Sequence, residues 1–412
     1  MGFHDSPNGI ACDAVPLARL AEAEGTPLHV YAAGIVRPRF RAFDAAFKTN
    51  PHAVHYALKA NSTLGVLRLL HSLGSAVDAN SGGEIDVALR AGFTPSQIIF
   101  TGVGKRAEEL TKAVSLGLRA INAESAGELD RIDAIAAAHG RTAAVALRVN
   151  PDIEVMSHPH ISTGTRRNKF GVALSEAPAI CREAAARRGL RLVGIHVHIG
   201  SQIVKVDPLR RAAATAVELA RMLTSQGIPI EHVDVGGGVG ISYDGTAGLD
   251  LAEYAAALLG ELKGSGLALV LEPGRFIVGP AGVLVSRVVD VKSYPDGRTF
   301  VVLDAGMTEC LRPALYGARH RVSPVATHVG TPSAVDVVGP VCESSDSFGA
   351  DHRLPPLKVD DLVAILDTGA YGASMASNYN RRPIAAEVLV EDGTWTLIRR
   401  RQTVEAMLAQ EV

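Results

Sequence analysis

The residues best suited to chemistry stand at the ends of short apolar runs. Val54-His55-Tyr56-Ala57-Leu58 leads into Lys59, and Ala60-Asn61-Ser62 then opens a turn. A lysine at the end of a buried strand must have its ammonium solvated, paired or put to use. Desolvation lowers a lysine's pKa and makes the amine a nucleophile toward aldehydes, so one reading of Lys59 is a Schiff-base lysine. The other is a strand-end lysine that reaches solvent, and the stretch alone fits both. Gly236-Gly237-Gly238-Val239-Gly240 follows another apolar run and suits either a backbone nest for an anion or a flexible turn. In His196-Val197-His198, alternation places both imidazoles on one side of a strand. They suit a metal pair, although no carboxylate or cysteine stands at ligand spacing nearby, or a flat face stacked on an aromatic ring. His196 equally suits a satisfied core position. Glu272 closes Leu269-Val270-Leu271 and precedes Pro273-Gly274-Arg275. Once buried it needs a partner, either Arg275 or a protonated ring nitrogen.

The elements that must position these residues are legible as a rhythm. From residue 53, apolar strands at Val54–Leu58, Ala76–Ala79, Ile98–Thr101, Ala120–Asn122, Ala143–Val149, Leu192–His198, His232–Gly236 and Ala268–Glu272 alternate with Ala/Leu/Glu-rich helical segments. Eight such units point to a closed (β/α)8 TIM barrel, in which reactive groups collect at the C-terminal strand ends. Lys59, Asp78, His196, His198, Gly236–Gly238 and Glu272 all lie at such ends, and the glycines follow the seventh strand, where barrel phosphate sites are common. After about residue 282 the rhythm becomes strands joined by turns: Val283–Tyr294, Thr299–Asp304, Val335–Gly339, Leu362–Leu366, Ala385–Glu391 and Trp395–Arg399. This predicts a C-terminal antiparallel β domain, joined by a strand near Val30. The expected division is a barrel over 35–281 and a β domain over 1–34 and 282–412.

Composition excludes several classes. Of the 412 residues, 47% are hydrophobic, enough for a sizeable core, and the formal net charge of −2 argues against a polyanionic partner such as nucleic acid. No run is apolar enough for a membrane span. The N-terminal Met1-Gly2-Phe3-His4-Asp5 lacks the pattern of a secretory signal, and Cys12, Cys181, Cys310 and Cys342 show no paired spacing, so a reducing, cytoplasmic setting is expected.

Together the strand ends fit one cofactor. An aldehyde needs a lysine, a phosphate a glycine nest, a flat ring a stacking face, and a pyridinium a carboxylate; that set describes pyridoxal 5′-phosphate. With these residues in place, the chain resembles the diaminopimelate decarboxylases, of the alanine-racemase-like fold type III. The motifs are HYALKANS (55–62), VDANSGGE (77–84), NPDIEVMSHPHISTG (150–164), NKFG (168–171), HVHIGSQ (196–202), DVGGGVGISY (234–243), EPGR (272–275), GPVCESSD (339–346) and DTGAYGASMASNYNRRP (367–383). They run in order through nearly the whole chain.

The resemblance implies decarboxylation of meso-2,6-diaminopimelate to L-lysine, the last step of lysine biosynthesis, with no metal. It implies that Lys59 anchors the cofactor, His198 stacks on the ring, and Glu272 pairs with the ring nitrogen. Ser201, Gly238 and the Gly274-Arg275 turn would hold the phosphate, with Tyr371 also at the cofactor. Substrate contacts map to Arg275, Arg312, Tyr316, Glu343 and Tyr371, and Cys342 would donate the proton. It further implies a homodimer with shared active sites, in which Cys342 and Glu343 serve the partner subunit. The segment Glu343-Ser344-Ser345-Asp346 departs from the more usual Glu-Thr/Ser-Gly-Asp. A decarboxylase of ornithine, arginine or carboxynorspermidine is the alternative, which His158–Gly164 and Glu343 disfavour. A non-catalytic pyridoxal-binding protein is a third reading, opposed by the second domain and the Cys342 segment.

Overall fold

The computed structural model describes residues 2–154, 168–246 and 248–412; the His158–Gly164 stretch therefore lies outside the described residues. The chain divides into two compact units, one of residues 40–241 and 247–274, the other of residues 1–39, 242–246 and 275–412.

In the first unit, eight parallel strands close into a barrel. They are His52–Ala57, Ala76–Ala79, Ile98–Phe100, Ala120–Ala123, Ala143–Asn150, Leu190–His196, His232–Asp234 and Ala268–Leu271. Closure is direct: Val270 of the last strand pairs with Ala53 of the first. All eight strands match the expected runs, and their ends differ by two residues or fewer. The earlier C-terminal ends of several strands are the main difference. Lys59 sits in a short 3-10 turn, Leu58–Ala60, and His198 lies two residues beyond its strand.

Two of the strand-to-helix turns share one device. Ser81 accepts from the Glu84 amide and Ser125 from the Glu128 amide, each at 3.1 Å. The glutamates reach back to the amides of Asn80 (2.6 Å) and Glu124 (3.1 Å). Each reciprocal capping box satisfies two helix-terminal donors and fixes the residues before the cap, which sit at the C-terminal end of the barrel.

The second unit is built on the long strand Gly282–Ser293. It pairs antiparallel with Leu28–Ala32, Thr299–Leu303 and Leu362–Ile365. Its faces alternate: Val283 and Val285 enter one apolar cluster with Leu17, Leu28, Val30 and Val388, whereas Leu284 and Val288 enter another with Val301, Val337, Phe348 and Ile365. Burial on both faces is why the sequence reads as an unbroken apolar run. The sheet is mixed rather than wholly antiparallel, because Thr299–Leu303 runs parallel to Ser333–Val338 and Ala386–Glu391 parallel to Leu28–Ala32. Six described strands escape the sequence pattern: Phe3–Ser6, Gly9–Cys12, Val15–Pro16, Val172–Ala173, Val322–Pro324 and Ser347–Leu354. They are short or polar on an exposed face.

His29 lies in the Leu28–Ala32 strand, 1% exposed, and both ring nitrogens lack hydrogen-bond partners. Burial pushes its pKa down to about 4 from the usual 6.5, against the pull of Glu387. A depressed histidine pKa means that its contribution is complete above pH 6.5 and is lost as pH falls toward 4. In denaturant unfolding, His29→Leu should therefore be less acid-sensitive than wild type. The gap should change by about 2 kcal/mol between pH 7.5 and 5, and parallel pH profiles would contradict a neutral buried His29.

Candidate active site

The barrel's C-terminal end holds an unusual density of buried polar groups. Asp78, His196, Asp234 and Glu272 are each at most 3% exposed. His196 Nε2 lies 3.6 Å from Glu272 Oε2, although their strands are not neighbours, so the contact crosses the barrel interior. Asn122 likewise reaches from the fourth strand toward Asp234 of the seventh, at 3.5 Å. Donor atoms of His196, Asp234 and Glu272 lie within 4.8 Å of one another. His196 therefore does have carboxylates close by, which linear spacing hid, and it is not a satisfied core histidine: neither ring nitrogen makes a hydrogen bond.

Three acids this close cannot all ionise. Burial pushes the Asp234 carboxyl well above its ordinary range, and Glu272 pushes it further. Burial and the Glu272 charge also push Asp78 up to about 6, against the pull of Lys59. Burial would raise Glu272 too, but the attraction of His196, 3.6 Å away, and of Lys59 more than offsets this, and Glu272 stays ionised. Its Oε1 is buried and accepts no hydrogen bond. A buried carboxylate with an unused acceptor is costly to keep and suits a cationic N–H donor.

Lys59 is half-exposed at this rim, its Nζ 3.6 Å from Asp78 Oδ2 and 3.5 Å from Asn80 Oδ1. Glu84 sits behind them, its pKa raised to about 7 by burial, with the Asn80 amide opposing. His198 accepts at Nδ1 from the Gly237 amide at 3.2 Å, which fixes the ring and leaves its proton on Nε2. Burial, then Lys59 and Arg148, hold His198 well below its usual pKa, so it presents a neutral flat face.

The glycine run is a steric requirement. A Cβ at Gly236 would meet His198 Nδ1 at 2.6 Å, at Gly237 the Glu272 carbonyl at 2.3 Å, and at Gly238 the Gly200 carbonyl at 2.6 Å. The loop is clasped to the Ser201 loop by the Ile203 amide on the Gly238 carbonyl (2.8 Å) and the Gln202 amide on Ile241 O (2.5 Å). Ser201 is half-buried beside it, and Gly274 packs so tightly that a Cβ would lie 2.9 Å from that of Ala60. Lys59, His198, Ser201, Gly238, Glu272 and Gly274 thus all belong to this unit.

Two buried ion pairs that local sequence patterns do not reveal, Lys105–Glu128 and Arg148–Glu124, stiffen the rim. Lys105 donates to the carbonyls of Gly102 and Asn122 and to Glu128, each at 2.7 Å. Glu124 holds Arg148 at 2.7 Å and the Gly171 amide at 2.7 Å, while Arg148 lies over Phe170, 4.5 Å from the ring centre. The NKFG motif is therefore a docking segment. The repeated Ser-x-x-Glu pattern was the available signal.

The remaining predicted residues belong to the other unit. Arg275 donates from Nη1 to the Tyr243 hydroxyl at 2.6 Å and lies 4.8 Å over the Tyr371 ring. Arg312, 5% exposed, lies 4.5 Å over the Tyr243 ring and donates to His320 at 2.6 Å. Tyr316 ends the same short helix, Arg312–Tyr316. Tyr371 has φ +58°, a left-handed backbone that a tyrosine adopts at a cost. Gly369 imposes it in part, since its Cβ would fall 1.9 Å from the Val278 carbonyl.

Cys342 and Glu343 are exposed on a neighbouring loop. Among the described residues no ion pair joins Glu343 to Arg312. That loop turns on Asp346, which accepts from the amides of Met307 (2.6 Å) and Val341 (2.7 Å).

Residues 33–279 match the family model for the pyridoxal-binding domain of pyridoxal-dependent decarboxylases. The diaminopimelate decarboxylase of Neisseria meningitidis serogroup A is 45% identical over 97% of this chain and 98% of its own length. The Helicobacter pylori diaminopimelate decarboxylase, solved with L-lysine, superposes with a TM-score of 0.93 at 41% identity, over 96% of this chain and 99% of that one. The M. jannaschii enzyme with L-lysine gives 0.95 at 34% identity, over 100% and 98%.

Replacing Asp346 with Ala strands two backbone donors. It should cost about 2–4 kcal/mol in denaturant unfolding, whereas Asp346→Asn, which keeps one acceptor, should cost less. Equal stability of the three proteins would show that the Cys342 loop does not hang on this carboxylate.

Proposed function

The chain belongs to the pyridoxal-dependent decarboxylases, among the diaminopimelate decarboxylases, and we infer that it converts meso-2,6-diaminopimelate to L-lysine and CO2. The observation that carries the reading is Glu272: ionised, buried and with Oε1 unused, beside a glycine cradle that no side chain could enter. Pyridoxal 5′-phosphate, when bound, supplies the electron sink for the charge left as CO2 departs.

The chain's own groups fit this cofactor. Glu272 would accept from the ring nitrogen and keep it protonated, which maximises the sink. Asp234, held neutral beside it, leaves Glu272 as the dominant negative charge there. Neutral His198, fixed by the Gly237 amide, would stack on the ring. Lys59 would anchor the cofactor's carbonyl carbon, with Asp78 and Asn80 steering its ammonium. Ser201, Gly238, Gly274 and Arg275 would hold the phosphate through hydrogen-bond donors, and Tyr371 would contact the cofactor.

Arg275 and Arg312 suit bidentate carboxylate binding, and Tyr316, Tyr371 and Glu343 complete the proposed substrate contacts. Cys342 would deliver a proton to the substrate α-carbon after CO2 leaves. Exposure of Cys342 and Glu343 in the single chain supports their use by a partner copy in a homodimer. Among the described residues no helix is long and apolar enough to cross a membrane; a cytoplasmic biosynthetic role fits the activity.

Borohydride treatment should trap the cofactor on the Lys59 peptide, and Lys59→Ala should lose both that adduct and at least about 10³-fold in CO2 release. An unchanged adduct would sink the Lys59 assignment, and turnover of ornithine or arginine in preference to meso-diaminopimelate would sink the substrate. Glu272→Gln should retain the cofactor's absorbance but lower kcat roughly 10²-fold or more; an unaltered kcat would remove Glu272 from the reaction.

A further inference from the structure

The barrel's other end, where the strands begin, carries polar residues that the proposed reaction does not use. Arg119, Thr142 and Glu231 immediately precede the fourth, fifth and seventh strands, and Arg191 is the second residue of the sixth. These four strands are successive neighbours in the barrel wall. Together with His232, the four residues line a cavity of about 320 Å³. In barrels this end ordinarily serves stability and the opposite end holds ligands. A cavity of this size nevertheless falls within the range of small-molecule sites, about 300–1,000 Å³.

The most buried polar group of the cavity is His232, 2% exposed. Gly194, its partner in register on the sixth strand, leaves room for the ring, since a Cβ there would lie 2.5 Å from His232 Nε2. Nε2 is sealed and makes no hydrogen bond; Nδ1 has no protein partner either, but it is not sealed, and the cavity is the space that the ring lines. Burial, then the charge of Arg119, push the His232 pKa down to about 3, so the ring is neutral and carries one N–H. That proton belongs on Nδ1, because a sealed orphan donor costs more than an under-used acceptor. Charge around the cavity is also unbalanced. Arg191 pairs with Glu231, the only acid that lines it, whereas the exposed Arg119 side chain makes no ion pair or hydrogen bond among the described residues. The lining thus offers two guanidiniums, an imidazole N–H and the Thr142 hydroxyl against one carboxylate.

We propose that this cavity is a second binding site, which takes a small polyvalent oxyanion, a phosphate ester or a polycarboxylate, on Arg119, Arg191, the Nδ1–H of His232 and the Thr142 hydroxyl. A guanidinium presents five donors in a planar fork, so Arg191 can keep Glu231 and still meet the anion, while Arg119 is free to take two oxygens at once. The site lies at the end of the barrel opposite Lys59 and Glu272, so its occupant does not compete with the substrate. It stands independently of the diaminopimelate reading.

The test uses the enzyme saturated with its cofactor, so that the phosphate cradle is filled, and two probes, pyrophosphate and citrate. Isothermal calorimetry should give a Kd below about 1 mM for at least one of them, with a matching rise in thermal midpoint. The tighter probe tells a phosphate ester from a carboxylate. Hydrogen exchange should slow at residues 117–119, 142 and 230–232 when the probe is bound. Arg119→Glu, a change at an exposed position, should weaken binding roughly tenfold or more, whereas Arg211→Glu, on the exposed face of the helix Val206–Ser225, should leave it within about twofold. KM for meso-diaminopimelate should stay within about twofold at saturating probe. Failure of both probes to bind overturns the proposal. So does binding that Arg119→Glu leaves intact, protection confined to the Lys59 end of the barrel, or purely competitive inhibition. If Arg119→Glu does not fold, Arg119→Ser replaces it, and undiminished binding there overturns the proposal as well. Calorimetry and exchange decide the site without the reaction, so an enzyme that releases no CO2 from diaminopimelate overturns the proposed function alone.

Discussion

Burial of several acids in one small volume governs the barrel end. Asp78, Asp234 and Glu272 come from three different strands and share a volume that solvent does not reach. Low polarity makes each ion expensive, and mutual repulsion makes a second ion more so. His196 and Lys59 tip the balance toward Glu272. Asp234 and Asp78 are pushed toward the neutral form by the same field. The outcome beside Asp234 is an ionised Glu272 with an unused oxygen, which a protonated ring nitrogen satisfies and a neutral one does not.

That electrostatic choice constrains the surrounding structure. Glu272 stays in place only if its strand end cannot relax, and the Gly237 loop packs against the Glu272 carbonyl too closely for any side chain. The same loop fixes the His198 ring through the Gly237 amide. The cradle, the stacking face and the acid are therefore one rigid object. Around it, the paired capping boxes and the Lys105–Glu128 and Glu124–Arg148 contacts replace solvent for the backbone groups that the turns expose.

The other unit gathers two buried arginines, Arg275 and Arg312, against aromatic rings. The Tyr371 and Tyr243 rings lie under their guanidiniums, the Tyr243 hydroxyl accepts from Arg275, and the His320 imidazole accepts from Arg312. The strained backbone at Tyr371 belongs to the same design, since close approach at Gly369 leaves the turn little freedom.

The sequence by itself determined the barrel and the chemical inventory. Strand runs such as Ala143–Asn150 and Leu190–His196 are local patterns of apolar residues, and they appear where periodicity puts them. Lys59, the glycines and Glu272 were legible because strand ends in a barrel converge on one rim whatever the details. The mixed pairing of the β sheet was not legible, because a run buried on both faces pairs equally well in either direction. Nor was the role of His196, whose carboxylate partners arrive from strands 38 and 76 positions away in the chain (Asp234 and Glu272). His320 looked like loop filler for the same reason: its meaning lies in the Leu366 carbonyl and the Arg312 guanidinium. Which acid ionises and which imidazole stays neutral depend on burial and on through-space fields, and only the tertiary structure decided those.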